Sequence, residues 1–289
     1  MNILCTGNKY KNDFYDIFDS IFKKYNDKDN LVLLDSFVFK DSYSNDIFDN
    51  IYSPIHNIDL VISLGGDGSI LSAVSRMNEK QIPVLGIHIG ELGFLNQANL
   101  KDYEDIIDKI VANNCFNYSK HALLTASIIS EDKEVSMLHS LNDFAINQKT
   151  YSRLLKMDVE INGEFLNMYN CDGLIICTPL GSTAYSLSAG GPIVAQDVDS
   201  IIITPVSPHS LSARPIVINS DSEITITFPK LKNEIRIYAD GQTSKILDSN
   251  SKVKIKKSKI SCKIIKPDNI NSYYSKLRNK LRWFGEHRS

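Results

Sequence analysis

A glycine-rich turn that contains one carboxylate is the stretch of this sequence best suited to chemistry. Gly65-Gly66-Asp67-Gly68 follows the apolar run 60–62 and precedes apolar residues at helical spacing, which predicts a strand, a turn and a helix. Glycines allow close approach of a ligand, and a helix N-terminus attracts phosphate. Asp67 would repel phosphate unless it takes a proton or holds a metal ion. A helix N-cap is an equally simple role for Asp67, so the turn alone leaves both interpretations open.

A second stretch places hydroxyl side chains at a helix start. Within residues 172–185, DGLIICTPLGSTAY, an apolar strand ends at Thr178, and the proline and glycine that follow predict a turn before Ser182-Thr183. Such a turn suits a phosphate, a ribose or an adenine edge. An ordinary capped turn before the break at 190–192 explains the stretch slightly better when it is taken alone.

Two shorter polar pairs lie in the part of the chain that is rich in strand patterns. Asn142-Asp143 interrupts an apolar strand, so one of the two side chains needs a partner in a cleft, unless the pair marks a surface bulge. Asp240-Gly241 follows the alternating residues 235–238 and predicts a hairpin turn first and a binding element second.

Composition indicates a globular intracellular protein. The chain has 289 residues, 43% of them hydrophobic and 23% charged, enough for one large domain or two ordinary ones. A net charge of -2 predicts no general affinity for nucleic acid or membranes, and no apolar run approaches a membrane span. The N-terminus lacks the pattern of a secretory signal. The five scattered cysteines contain no C-x-x-C pair, which favours reduced thiols in the cytoplasm over zinc or disulfides.

The periodicity of the chain predicts two domains. Strands alternate with amphipathic helices up to about residue 112, which is typical of a parallel sheet with helices on both faces. Ligands bind such sheets at the carboxyl ends of the strands. Strand patterns dominate after Cys115, and the last segment is again helical, so we expect an α/β domain of residues 1–115 and 270–289 and a β-rich domain of 116–269. The apolar stripe expected to pack the last helix onto the α/β domain is Tyr274, Leu277, Leu281 and Phe284.

Taken together, the motifs resemble the bacterial NAD kinases, the ATP–NAD 2′-phosphotransferases, over nearly the whole chain. GGDG alone is shared with lipid kinases of the diacylglycerol and sphingosine type, whereas its combination with T-P-x-G-S-T-A-Y is specific. The motifs that carry the resemblance are GGDG (65–68), G-x-x-x-G-x-L-G-F (86–94), Asn142-Asp143, D-G-x-x-x-x-T-P-x-G-S-T-A-Y (172–185), the turn 240–242 and a basic C-terminal helix ending near Trp283.

This resemblance implies a fold, a reaction and partners. The fold would be a phosphofructokinase-like α/β domain and a β-rich NAD-binding domain, with the NAD site in the crevice between them. The reaction would transfer phosphate from ATP, bound with Mg²⁺ or another divalent metal, to the adenosine ribose 2′-hydroxyl of NAD. Some members of the family accept polyphosphate. The protein would form a homodimer or homotetramer in which a neighbouring subunit helps to complete the NAD pocket.

The resemblance also implies roles for individual residues. Asp67 matches the catalytic base, and Gly65, Gly66 and Gly68 match the glycines at the donor phosphates. No residue is assigned as a metal ligand. The positions that match the NAD site are Asp67, Gly68, Phe94, Asn142, Asp143, Asp172, Thr183, Ala184, Tyr185 and Ser188.

Three positions depart from the family pattern. Asp143 stands where glutamate is usual, Glu91 where a basic residue or histidine is usual, and Leu180 where serine or threonine is frequent. The departures at Glu91 and Asp143 keep open a non-catalytic NAD(P)-binding regulator. A GGDG-type lipid kinase is the third hypothesis, although the hydroxyl-rich 178–186 segment favours a nucleotide over an acyl chain.

Overall fold

The computed structural model describes residues 1–52, 54–90, 93–148, 154–229, 234–248, 250–267 and 272–283. The chain divides into two compact units, Met1–Lys120 with Cys262–Ser289, and His121–Ser261. We call them the first and the second unit. The sequence predicted domains of 1–115 with 270–289 and of 116–269, and these limits stay a prediction.

The elements follow the order that the periodicity indicated, helix and strand first and mainly strand afterwards. The first part of the chain forms β1 (Asn2–Gly7), α1 (Phe14–Tyr25), β2 (Leu31–Asp35), β3 (Phe48–Asp49), β4 (Leu60–Gly65), α2 (Asp67–Met77), β5 (Val84–His88), α3 (Tyr103–Asn113) and β6 (Tyr118–Ser130). The remainder forms β7 (Lys133–Ser140), β8 (Asp143–Gln148), β9 (Leu155–Ile161), β10 (Glu164–Cys171), β11 (Gly173–Cys177), α4 (Tyr185–Ser188), β12 (Ser200–Val206), β13 (Ile216–Asn219), β14 (Ile224–Thr227), β15 (Ile235–Ala239), β16 (Thr243–Leu247), β17 (Lys252–Ile265) and α5 (Tyr273–Leu281).

The first unit is built on the parallel sheet that the sequence predicted. Its strands lie in the order β5-β4-β1-β2-β3, and the end of β17 joins β5 in parallel. The apolar faces of α1 and α3 pack with Ile3 and Ile62 on one side of the sheet. The helix α2 packs on β1, β4 and β5. Its buried face is Ile70, Leu71, Ala73, Val74 and Met77, which includes every apolar residue that the helical spacing placed there.

Because the strands are parallel, their carboxyl ends meet at one edge of the sheet. Gly65, the last residue of β4, lies opposite His88, the last residue of β5. The backbone N–H of Ile89 also donates to the carbonyl of Gly65 at 3.1 Å. The turn after β4 and the glycine-rich loop after β5 are therefore neighbours, as expected for a ligand-binding edge of an α/β sheet.

The second unit is a pair of packed sheets. One sheet is antiparallel, in the order β13-β12-β11-β8-β15-β16. Inward-facing residues of this sheet, such as Phe144 and Ile176, form a core with residues of β6, β9, β14 and β17, such as Met157 and Ile226. The dipeptide Asn162-Gly163 predicts a hairpin turn, and the structure has this turn between β9 and β10, with positive φ at both residues.

The last helix packs in the first unit, as predicted, but on a different face. Leu277 is buried, whereas Tyr274 is 62% exposed, so the prediction for Tyr274 was wrong. Lys276 is buried instead, because its ammonium group reaches two backbone carbonyls that need donors. Phe284, the end of the predicted stripe, lies outside the described residues. No helix in the described part of the chain is long and apolar enough to cross a membrane.

Candidate functional site

Asp67 is the first residue of α2, and its carboxylate receives three hydrogen bonds from one loop. The backbone N–H of Phe94 donates to Oδ2 at 2.7 Å, and the N–H of Leu95 and Nδ2 of Asn96 donate to Oδ1 at 3.0 and 2.9 Å. The N-cap of α2 is Gly66, and no side chain caps the helix. The N-cap interpretation of Asp67 is therefore wrong. The two oxygens of a carboxylate accept about four hydrogen bonds, so Oδ2 keeps room for one more donor.

Gly93 is the residue that lets Asp67 reach this loop. A Cβ atom built on Gly93 would overlap Oδ1 of Asp67. A side chain at position 93 would therefore push the carboxylate away from its three donors. This contact gives a physical reason for the last glycine of the 86–94 motif.

Lys276 of α5 holds the same loop from its carbonyl side. Its Nζ donates to the carbonyl oxygens of Phe94 at 3.2 Å and of Asn96 at 2.8 Å. The residue is 6% exposed, and no other lysine or arginine is buried in the described part of the chain. Burial lowers the pKa of Lys276, and the negative charge of Asp67 opposes this shift. Nothing in the sequence distinguishes Lys276, because a lysine beside an apolar stripe looks like any solvated helix residue.

The turn before α2 leaves space on its outer side. Gly65 has a φ of +143°, which favours glycine, and a Cβ there would overlap Oγ of Ser69. A Cβ on Gly66 or Gly68 would meet no described protein atom within 4 Å. Packing within the protein therefore does not explain these two glycines, whereas close approach of a ligand would.

A lysine from the loop after β1 lies near Gly90, in the loop that follows β5. Nζ of Lys11 is 3.5 Å from the position that a Cβ on Gly90 would occupy, beyond the end of β5. Cβ of Asn8 lies 3.4 Å from the corresponding position on Gly65. The β1–α1 loop thus brings a positive charge to the same edge of the sheet. The only sequence signal for this charge is that two lysines follow Gly7 within four residues, and Lys11 was not predicted as a site residue.

In the second unit, Asp240 organises the Asn142-Asp143 motif. Its Oδ1 accepts from the N–H of Asn142 at 2.7 Å, the N–H of Asp143 at 3.1 Å and Oγ of Ser140 at 2.7 Å. Its Oδ2 accepts from the N–H of Leu141 at 2.8 Å. Asp240 also forms the predicted hairpin turn with Gly241, since both have positive φ. The hairpin is confirmed, and the anchoring role was not foreseen.

The motif of residues 172–185 is hydrogen-bonded to the segment that contains Leu141 and Asn142. The N–H of Thr178 donates to the carbonyl of Asn142 at 2.9 Å, and its Oγ1 donates to the carbonyl of Leu141 at 2.7 Å. A Cβ on Gly181 would overlap the carbonyl oxygen of Asn142. The structure therefore brings Asn142-Asp143 and the start of the hydroxyl-rich turn together, at the ends of the neighbouring strands β11 and β8.

The remaining predicted residues of this motif differ in their surroundings. Thr183 and Ala184 are partly exposed, while Tyr185 and Ser188 are exposed on α4. Leu180 is buried, so the departure from serine or threonine adds an apolar contact where a hydroxyl was lost. Glu91 lies outside the described residues.

Asp172 lies at the other end of β11. It precedes Gly173, the first residue of that strand, whereas Thr178 follows the last one. At a rise of about 3.3 Å per residue, the two positions are about 20 Å apart. Within one copy of the second unit, the structure does not bring Asp172 to the Asn142-Asp143 segment.

Asp143 is a buried carboxyl beside a second carboxyl. It pairs with Cys177 across β8 and β11, which places the two side chains on one face of the sheet. Burial, and then the negative charge of Asp240, raise the pKa of Asp143 to about 7. Burial also raises the pKa of Asp240, against the hydrogen bonds that it accepts. By contrast, burial raises the pKa of the Cys177 thiol to about 12, so this cysteine is an inert small residue.

The raised pKa of Asp143 predicts a pH dependence of stability. Between its ordinary value of 3.8 and about 7, the folded state binds the proton more tightly than the unfolded state. The contribution of Asp143 therefore becomes less favourable as the pH rises through this window. We expect Asp143→Asn to gain stability relative to the wild type from pH 4.5 to pH 8, by about 3 kcal/mol, at about 1.4 kcal/mol per pKa unit.

Urea unfolding of both proteins at several pH values measures this difference. Asp221→Asn, at an exposed aspartate of the same unit, is the matched control. Parallel stability curves for the wild type and Asp143→Asn would show that Asp143 does not titrate in this window.

A glycine turn open to a ligand at the edge of a parallel sheet and a hydroxyl-rich turn in a β-rich unit are features expected of a kinase that acts on a nucleotide. Comparison with known proteins narrows this class. Residues 40–115 match the ATP-NAD kinase N-terminal domain, and residues 141–267 match the ATP-NAD kinase C-terminal domain. The chain belongs to the NAD kinase family, which confirms the resemblance and the fold class predicted from the motifs.

Individual relatives agree with this assignment. An NAD kinase of Flavobacterium johnsoniae is 34% identical, over 98% of this chain and 98% of its own. An NAD kinase of Rhodopirellula baltica is 37% identical, over 79% of this chain and 73% of its own. The crystal structure of yeast NADH kinase complexed with NADH is similar with a TM-score of 0.84 and 25% identity, over 100% of this chain and 89% of that chain.

Proposed function

We propose that this NAD kinase transfers the terminal phosphoryl group of ATP to the 2′-hydroxyl of the adenosine ribose of NAD, with Asp67 as the base that takes the hydroxyl proton. The observation that carries this role is the fixed orientation of the Asp67 carboxylate. Three donors from residues 94–96 hold it at the start of α2. Oδ2 keeps room for a fourth donor, which a ribose hydroxyl would supply.

The donor side of the proposal uses the turn before α2. Gly65, Gly66 and Gly68 would lie against the donor phosphates, whose charge the N-terminus of α2 and Lys11 would stabilise. The donor enters as ATP with Mg²⁺ or another divalent ion, which bridges its phosphates and neutralises charge. In the part of the chain that the structure describes, no group of three or more His, Cys, Asp or Glu side chains is arranged around a metal site. Mg²⁺ is commonly held by substrate phosphates with one or two carboxylates, and we propose that the ion arrives bound to the ATP phosphates.

NAD, the acceptor, would bind the two motifs that Asp240 and Thr178 hold together, Asn142-Asp143 and the turn within residues 172–185. A segment whose backbone is already bonded loses little freedom when a ligand binds, which favours affinity. Asp67 and Gly68 would contact the ribose. The other residues proposed for NAD are Phe94, Asn142, Asp143, Asp172, Thr183, Ala184, Tyr185 and Ser188.

A coupled assay of NADP formation tests the activity. It is run with ATP and with polyphosphate as donor, and with NAD and NADH as acceptor. NADP formation from ATP supports the proposal. Binding of NAD without turnover would favour the non-catalytic regulator, for which the shorter side chain of Asp143 is the supporting observation.

Asp67→Asn tests the catalytic base. We expect the variant to fold and to bind NAD, and to lose about 10²–10⁴ in kcat, because a positioned base contributes about that factor. Asparagine has only one acceptor oxygen, so the variant also weakens the hold on residues 94–96. Asn96→Ala is the matched control, since it removes one of the three hydrogen bonds and keeps the carboxylate.

Steady-state kinetics and calorimetry of NAD binding separate the two effects. A much smaller loss of kcat in Asn96→Ala than in Asp67→Asn supports the base. Equal losses would show that Asp67 only holds the loop, and near wild-type activity of Asp67→Asn would rule out the mechanism.

We also propose a homodimer or homotetramer in which Asp172 serves the NAD pocket of a neighbouring copy. The supporting observation is the distance of about 20 Å along β11 between Asp172 and Thr178. Apolar side chains exposed on β7 and β10, such as Val135, Met137 and Phe165, offer surface for such contacts. Light scattering measures the mass of the assembly.

Complementation tests the shared pocket. Asp67→Asn and Asp172→Ala should each be poorly active alone. When the two are unfolded and refolded together, mixed oligomers contain intact pockets, so we expect a substantial part of the activity to return. Co-refolding with no gain over the separate variants would place Asp172 in the pocket of its own copy or outside the site.

A cytoplasmic location completes the proposal. Its support is the five scattered cysteines, all present as free thiols, with only Cys115 exposed. Cell fractionation is the direct measurement. Neither a nucleic acid nor a membrane is proposed as a partner.

A further inference from the structure

One peptide group of the first unit lies between two opposite charges. The carbonyl of Phe94 accepts a hydrogen bond from Nζ of Lys276, and the N–H of the same peptide group, that of Leu95, donates to Oδ1 of Asp67. Asn96 forms a second link between the same two charges. Its backbone carbonyl accepts from Lys276, and its side-chain Nδ2 donates to Asp67.

The physics of these links couples the two charged groups. Hydrogen bonds in series polarise one another, and those that end on an ion are stronger than neutral ones. An ammonium group on one side of a peptide group and a carboxylate on the other therefore orient its dipole in the same direction. The burial of Lys276 opposes its charge, so the two carbonyl contacts must compensate for the lost hydration.

We propose that Lys276 is a positioning residue for the phosphoryl transfer: by binding the carbonyls of Phe94 and Asn96, it orients the N–H groups that fix the Asp67 carboxylate. The inference rests on the proposed role of Asp67 as the base. Lys276 contacts carbonyl oxygens and not the substrate, so its effect passes through residues 94–96. The simpler role is that of an anchor for α5, and the experiment separates the two.

The first measurement is the kinetics of Lys276→Met and Lys276→Gln. Methionine keeps the apolar stem and removes the donors, whereas glutamine keeps a neutral donor group. We expect kcat of Lys276→Met to fall about 10- to 100-fold, the cost of a misplaced group of the active site, with little change in KM for ATP. KM for NAD should change less than kcat, although Phe94 of the same loop is proposed to contact NAD. Lys276→Gln should lie between Lys276→Met and the wild type. Arg278→Met, at an exposed position of the same helix, is the control and should keep wild-type kinetics.

The second measurement is the amide hydrogen exchange of Phe94 and Leu95, observed by NMR. The N–H groups of both residues donate to Asp67, so release of the loop should accelerate their exchange in Lys276→Met and not in Arg278→Met. Unchanged exchange at both amides would overturn the proposal. If Lys276→Met does not fold, Lys276→Gln carries the same comparison.

A double-mutant cycle identifies the route of the effect. If Lys276 acts through Asp67, Lys276→Met should cost little further kcat in the Asp67→Asn background. Equal losses in both backgrounds would leave only the anchoring role and overturn the inference. Unchanged activity of Asp67→Asn, together with faster amide exchange in Lys276→Met, would instead overturn the catalytic base and leave the link between Lys276 and the loop intact.

Discussion

The site of the first unit depends on the hydrogen bonds that the carboxylate of Asp67 accepts. The carboxylate ties the start of α2 to residues 94–96, which follow β5, and it requires glycine at position 93. The same loop accepts the ammonium group of Lys276 from α5. The Asp67 carboxylate, which is proposed to take the hydroxyl proton, thus also holds residues 94–96 in place.

In the second unit, the carboxylate of Asp240 likewise holds one segment of the chain through several hydrogen bonds. Its carboxylate accepts four hydrogen bonds from residues 140–143, and three of the donors are backbone N–H groups. Since Thr178 bonds the carbonyls of the same segment, both polar sides of its backbone are satisfied. Each unit therefore arranges its motif before a substrate arrives, which reduces the conformational cost of binding. Burial, and then the negative charge of the neighbouring Asp240, raise the pKa of Asp143 to about 7.

Local patterns predicted local structure well. The buried faces of α1 and α2 follow from apolar spacing, and two hairpins follow from Asn162-Gly163 and Asp240-Gly241, because only a few residue types tolerate positive φ. The predictions that failed concern contacts between distant segments. Tyr274 was predicted to lie on a buried stripe but is exposed. Lys276 is buried instead, because α5 packs against a loop whose carbonyl groups need a donor. Asp67 was weighed as an N-cap, but its partners come from residues 27 to 29 positions later.

The sequence by itself determined the family, the two-part pattern of elements and the motifs that would meet phosphate and nucleotide. These features depend on residue types and short spacings, both of which are visible in the sequence. Only the tertiary structure decided that Asp67 and Lys276 are linked by hydrogen bonds through residues 94–96, with Gly93 against the carboxylate, and that Asp240 supports Asn142 and Asp143. A carboxylate, a glycine and a lysine have many possible partners. Which of them meet depends on how parallel strands align their ends and on which buried polar groups remain to be satisfied.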